Sequence, residues 1–476
     1  MENKIKKSVV VKATLWYTVS RVLIRGISFF TAPLFTRLLS TSDYGIASNF
    51  NSWANIVSCF AGLSLTTAAL RGKVEFKENY KEFLSAIQTL GIISTLVCIL
   101  IITPTINFWC GVMELNQVCI VIMMFYLIFE PSVNYAQTDF QFDYKYKENI
   151  GISLFTVLGT VFFSIVFVLL WPDMRYMGRI LGMALPCIII GLYFAVKIFC
   201  KGRLLYSREY WTYGLKLCIP MIPHGLAMIV LGQIDRVMII KYIGESEAGI
   251  YSFGYSYAIL LSVITNAVSD GIKPQMYNLL EKGEDEKLAS FIERIVAGTT
   301  FLTIGIVSVA PEALKILGTR EYYDARWVIF PVALGTLMQF MYQNFNIIQL
   351  YYKKTIYTAI GSVSAALVNF TLNMVFIPRY GYIAAAYTTM ISYGLLMLFH
   401  YCASWWVAKR RIYRFAPYAF FSFIAILAGF WFNLMYDHSD GIRYIMILFL
   451  ILIMGIYFKQ EINLGIAIVR KTFKKL

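Results

Sequence analysis

Apolar runs of about 20 residues, enough to cross a bilayer core as a helix, recur along the whole of this 476-residue chain. A segment in lipid has no water to satisfy its peptide groups, so helices that satisfy their own backbone are the expected solution and open strands are excluded. Read between charged residues and Pro/Gly-marked breaks, the runs predict about fourteen spans. They start with Ala13–Leu38 and Gly45–Leu70. They continue through Tyr176–Phe199, Tyr213–Ile240 and Trp327–Tyr351, and end with Ile442–Phe458. Hydrophobic residues make up 59% of the chain and charged residues 14%. A soluble domain carries about a quarter charged residues, so a set of soluble domains is excluded. The basic start, Met1–Lys12, resembles the first part of a signal peptide. The apolar stretch after it holds Arg21 and Arg25 and no small-residue cleavage site, so it reads as a retained first span.

The charges that remain are unbalanced, 42 Lys+Arg against 27 Asp+Glu. In a chain of membrane spans such an excess marks orientation rather than a nucleic-acid partner. Lys4, Lys6, Lys7 and Lys12 precede the first span, and Arg470, Lys471, Lys474 and Lys475 follow the last. Even-numbered loops hold Lys73, Lys77 and Lys81, then Lys145 and Lys147, then Lys201, Arg203 and Arg208. Both termini are therefore expected on the cytoplasmic side. The eight cysteines are scattered and show no CxxC or Cys/His spacing, so no metal site is expected. No phosphate loop, zinc-protease helix or nucleophile elbow is present, and no cofactor or enzymatic activity is expected.

Aligning the chain with itself pairs Gly45 with Gly249. The turn Ser42-Asp43-Tyr44-Gly45-Ile46-Ala47-Ser48 then faces Ser246-Glu247-Ala248-Gly249-Ile250-Tyr251-Ser252. The first block joins spans one and two, the second spans seven and eight. An even number of spans separates them, so the two halves run in the same direction, a transporter architecture with substrate between the repeats. The expected fold is an all-α polytopic membrane protein. Two parallel six-helix bundles occupy residues 1–211 and 212–408, and 409–476 add two transmembrane helices and a basic tail.

Seven ionisable residues are read as lying in the membrane: Arg21, Arg25, Glu130, Lys216, Asp235, Arg236 and Asp270. Each costs at least ~2.5 kcal/mol near mid-bilayer unless a partner, a wet cavity or a ligand compensates. Arg21 and Arg25 share a helix face, which calls for a nearby anion. The guanidinium fork suits phosphate. Snorkelling of Arg21, with Arg25 paired to Glu130 or Asp270, is the alternative. Glu130, Asp235, Arg236 and Asp270 are assigned to charge pairing or ion coupling, Asp235 and Arg236 most simply to ion pairs. Pro220 and Pro223 interrupt span seven between Lys216 and His224, as a hinge or a structural kink. Gln339, Gln343 and Asn346 share a face of span ten among aromatics. Amides there suit sugar contact or helix–helix bonding. Asn51 and Asn55, and Asn369 and Asn373, show the same spacing.

Span seven and its exit, Pro220-Met221-Ile222-Pro223-His224 through Asp235-Arg236-Val237-Met238-Ile239, resemble the polysaccharide transporter family of the multidrug/oligosaccharidyl-lipid/polysaccharide (MOP) exporter superfamily. So do Leu39-Ser40…Asp43-Tyr44-Gly45 and Ile377-Pro378-Arg379-Tyr380-Gly381. The resemblance implies a Wzx-type flippase of the bacterial cytoplasmic (inner) membrane. Its cargo would be undecaprenyl-pyrophosphate-linked O-antigen or capsule repeat units, moved by alternating access between the bundles. It further implies contact with membrane lipids, coupling to a proton or sodium gradient and proximity to a polysaccharide polymerase. Under it, Arg21, Arg25, Lys216 and His224 would line a cavity for the pyrophosphate. A lipid II flippase and a drug/cation antiporter of the same superfamily are the alternatives.

Overall fold

The computed structural model describes residues 24, 26, 27, 31–459 and 461, and among these every regular element is helical. In chain order, α1 spans Thr41–Ala61 and α2 Thr66–Glu75, followed by α3 (Lys77–Met113), α4 (Gln117–Phe142), α5 (Tyr146–Leu170) and α6 (Pro172–Gly202). The second set is α7 (Arg208–Tyr242), α8 (Glu245–Glu281), α9 (Asp285–Ser308), α10 (Ala310–Leu317), α11 (Arg326–Tyr351), α12 (Thr355–Tyr380) and α13 (Tyr382–Ala408). Two more follow, α14 (Phe415–Met435) and α15 (Asp440–Tyr457). Several starts are encoded locally. Ser40 and Asp43 form a reciprocal capping box on α1, while Asn116, Ser207 and Ser439 accept from the first turns of α4, α7 and α15.

Among the described residues, eleven helices are long and apolar enough to cross a membrane, or twelve with α1 and α2 as one span bent by 44°. The sequence expectation of about fourteen differs in two places. The first span, Ala13–Leu38, falls largely outside the described residues. The tenth is α11, full-length at 26 residues but diluted by Gln339, Gln343, Asn344, Asn346 and Gln349. α11 runs through the interior rather than along lipid: 20 of its 26 residues are buried, and its amides are hydrogen-bonded within the protein. Asn344 donates to the Phe340 carbonyl at 2.9 Å, and Gln349 meets His400 at 3.0 Å.

The prolines of span seven give a 3-10 turn at Ile219–Met221, after which α7 continues to Tyr242. The sharper bend lies between α1 and α2. There Gly62 caps the end of α1, and Leu63 and Ser64 after it both adopt positive φ. Within the first half α6 packs on α4 and α5; within the second α13 packs on α11 and α12, and α7 on α12. α14 and α15 lie against α9, and the buried Arg443 of α15 pairs with Glu312 of α10 and with Asp440. Across the halves, α1 packs on α7 and α8.

Candidate functional site

The contact between α1 and α8 is reciprocal. A Cβ on Gly45 would sit 1.9 Å from the Glu245 carbonyl oxygen, and a Cβ on Gly249 would sit 1.9 Å from that of Thr41. Only a glycine at each position permits this backbone approach. These are the residues the sequence alignment pairs, so the internal repeat becomes a self-complementary contact. Side chains extend it: Thr41 Oγ1 lies 2.7 Å from Ser246 Oγ, and Ser42 donates to Glu245 at 2.5 Å. Beside it Tyr44, Phe253 and Tyr322 form an edge-to-face cluster, and the Tyr322 hydroxyl donates to the Ser40 carbonyl at 2.9 Å. Asp43 also accepts from the Tyr176 amide at 3.1 Å, fastening the start of α6 to α1. This end of the molecule is sealed.

Directly beneath the seal lies a cavity of about 310 Å³, reached by Phe35, Tyr44, Thr160 and Arg179 from before residue 211 and by Ser256 and Ser262 from after it. Among the described residues, Arg179 is the charged one in its lining. Its guanidinium lies 3.8 Å from the centre of the Phe35 ring and donates to Ser164 Oγ at 2.9 Å. No carboxylate lies within ion-pairing distance of it among the described residues. An arginine has five N–H donors. A cation so placed, with hydroxyls around it and space in front, is arranged to receive an anion.

Asp235 presents the opposite case. It is fully buried on α7, and its carboxylate is surrounded by donors from three other helices. Asn373 of α12 donates to Oδ1 at 2.7 Å; Tyr251 of α8 and Thr389 of α13 donate to Oδ2 at 2.5 and 2.7 Å. Asn369 donates on to Thr389 at 3.0 Å, and Thr388 donates to Asn373. The expected ion pairing of Asp235 and Arg236 is corrected here. Adjacent helical residues point roughly 100° apart, and Arg236 instead donates to the Gly232 carbonyl at 2.9 Å and stacks 4.3 Å from the Tyr255 ring.

The remaining residues singled out in the sequence do not converge on one place. Arg21 and Arg25 lie outside the described residues. Lys216 is exposed on the first part of α7, whereas His224 is half-buried with Nδ1 2.7 Å from Ser362 Oγ of α12. Glu130 accepts from Asn134 one turn on and forms no ion pair among the described residues, and Asp270 pairs with Lys273 at 2.9 Å. Gln339, Gln343 and Asn346 are half-buried. Gln343 accepts from Ser269 of α8 at 3.2 Å and Asn346 from Thr358 of α12 at 2.6 Å, so both join helices. Arg179 was missed. The signal was its position, inside Tyr176–Phe199 with no acidic residue one turn away.

The model of a family described as "Polysaccharide biosynthesis protein" matches residues 10–276, more than half of the chain. An uncharacterized membrane protein of Methanocaldococcus jannaschii is 24% identical over 86% of each chain. A probable low-salt glycan biosynthesis flippase of Haloferax volcanii is 22% identical over 35% of this chain and 36% of its own. Among solved structures, the lipid II flippase MurJ in an inward closed conformation superposes with a TM-score of 0.72 at 14% identity, covering 95% of this chain and all of that one. An inward-facing multidrug-resistance MATE family transporter of the MOP superfamily gives 0.60 at 12% identity, covering 82% and 99%. At these identities the structures speak for the fold. A helical chain of many membrane-capable spans, two halves meeting at a repeated glycine and a family match over more than half of the residues leave one assignment: this is a multi-pass membrane protein of the polysaccharide biosynthesis family, with the fold of the MurJ and MATE structures.

Proposed function

We propose that the chain is a flippase for lipid-linked oligosaccharides. It carries undecaprenyl-pyrophosphate-linked repeat units of an O-antigen or capsule from the cytoplasmic to the outer leaflet of the bacterial inner membrane. The observation that carries this reading is Arg179, a cation without a carboxylate partner among the described residues, facing a hydroxyl-lined cavity between the halves. Desolvating a pyrophosphate is the main barrier to its crossing, and a guanidinium in a low-dielectric cavity lowers that barrier. The prenyl tail stays in lipid. The halves, 1–211 and 212–408, rock against each other in alternating access, breaking and remaking the α1–α8 contact, with both termini cytoplasmic and 409–476 riding on the second half. Arg21, Arg25, Lys216 and His224 extend the cationic path, Gln339, Gln343 and Asn346 meet the sugars, and an ion gradient supplies direction. A neighbouring polymerase takes the product.

The drug/cation antiporter reading calls for an acidic cavity. Asp235, the fully buried carboxylate, is instead enclosed by its own bundle. The test is reconstitution into vesicles with three tagged cargoes: an undecaprenyl-pyrophosphate oligosaccharide, lipid II and a lipophilic cation. Fastest transfer of the oligosaccharide between leaflets is expected. Movement of lipid II alone would transfer the assignment to that substrate, and movement of the cation alone would overturn it.

A further inference from the structure

At the end of the first half remote from the glycine seal, five lysines from three separate loops and helix ends converge. Lys73, Lys81, Lys145, Lys197 and Lys201 line a cavity of about 310 Å³ together with Asp139 and Asp143. The two carboxylates are already engaged. Lys73 pairs with Asp139 and, at 3.0 Å, with Asp143, while Lys145 lies 3.4 Å from Asp143. Lys81, Lys197 and Lys201 have no carboxylate within 4.0 Å among the described residues, so the cavity keeps an uncompensated positive charge. Lys197 belongs to a second feature as well. It closes one end of an apolar groove on α6 formed by Ile189, Leu192, Tyr193 and Val196. Leu192, Tyr193 and Val196 are 48%, 57% and 53% exposed, on a helix apolar enough to face lipid. The Lys197 ammonium lies 3.2 Å from the Tyr193 hydroxyl and 5.1 Å from its ring centre, which holds it at the junction of groove and cavity.

A groove for hydrocarbon that ends in a cluster of ammonium groups without carboxylate partners among the described residues matches one kind of molecule, an acyl chain joined to an anionic headgroup. We infer that this surface binds an anionic phospholipid of the phosphatidylglycerol class. Its headgroup phosphate sits among Lys81, Lys197 and Lys201, and an acyl chain lies along Ile189, Leu192 and Val196. The lysines of these loops, counted one by one, mark only which side of the membrane they occupy. Brought together, they form a site separate from the cavity between the halves, and Arg179 plays no part in it. By the positive-inside pattern, the lipid belongs to the cytoplasmic leaflet.

Native mass spectrometry of the full-length protein, titrated with phosphatidylglycerol and with phosphatidylcholine of the same acyl chains, tests this. The wild type is expected to retain phosphatidylglycerol selectively. The triple variant K81Q/K197Q/K201Q should lose that selectivity, with affinity roughly a hundredfold weaker. The charge-preserving K81R/K197R/K201R and the separate R179Q should bind as wild type, which distinguishes loss of charge from loss of fold. Equal retention of both lipids by the wild type, or unchanged phosphatidylglycerol binding by the triple glutamine variant, would overturn the assignment. Displacement of the lipid by equimolar inorganic phosphate would overturn it too, by marking a site for a free anion.

Discussion

Asp235 and Arg179 are both charges that the fold takes out of water, and the structure treats them in opposite ways. Around Asp235, helices α7, α8, α12 and α13 bring Tyr251, Asn373 and Thr389 onto both carboxylate oxygens, with Asn369 and Thr388 completing the shell. The group is enclosed and fully bonded, so it fastens four helices and is closed to a ligand. Around Arg179, among the described residues, the Ser164 hydroxyl and the Phe35 ring are supplied, and Arg179 lines a cavity made by both halves. A buried charge with its partners in place is architecture; one without them is held for something that arrives. The comparison also separates helices fastened to one another from the two halves that the proposed alternating access would move.

The largest effect on stability belongs to the enclosed charge. Asp235→Ala leaves three buried donors unpaired and should cost at least about 3 kcal/mol. That would appear as the deepest loss of thermal midpoint and of membrane abundance in the set. Asp235→Asn should recover part of the loss and retain transport; abolished transport at normal abundance would instead make Asp235 a coupling site. Next comes the seal. A valine at Gly249 would place its Cβ against the Thr41 carbonyl, so Gly249→Val should cut transfer at least about tenfold by keeping the halves apart. Gly45→Val should do the same, because the contact is reciprocal. Unimpaired transfer by both variants would show that closure does not pass through this contact.

The smallest effect is at the surface. Burial pushes the Asp143 carboxyl up, but hydrogen bonds and charge from Lys73 and Lys145 outweigh it and hold it below its ordinary value near 3.8. The stability it contributes is therefore complete above that value and disappears as pH falls through the lower folded value. Asp143→Asn should lower the thermal midpoint slightly at pH 6, by less than about 1 kcal/mol in stability. The difference from wild type should shrink as pH falls below 3.8 and be gone once the folded carboxyl is protonated. A difference that persists there would mean packing, not charge, is what the substitution removes.

The spans were legible because a bilayer imposes one length and one polarity on every helix, and α11 stands out because amides that bond inward lower its apolarity. The Gly45/Gly249 correspondence was legible as a repeated turn, and its meaning as a backbone contact required the two halves in place. Asn369 and Asn373 showed their shared face in sequence, while Thr388, Thr389 and Tyr251 carried no such mark, because hydroxyl residues are common in any helix. Arg179 escaped attention because a lone arginine one turn inside a span looks the same whether its partner is a neighbour, water or a substrate. The bend at Leu63 and Ser64 escaped because Gly62 alone marks it, and a single glycine inside an apolar run is also tolerated within a span. The lysines of three loops spelled out orientation, and only folding shows that they share a cavity.

The most direct test of the account compares Arg179→Gln with wild type in vesicles loaded with a pyrophosphate-linked oligosaccharide, with transfer between leaflets measured alongside the thermal midpoint. A fall in transfer of at least about tenfold, with the midpoint unchanged within about 2 °C and partial recovery by Arg179→Lys, is expected for a cation held for an incoming anion. Transfer at the wild-type rate would contradict it.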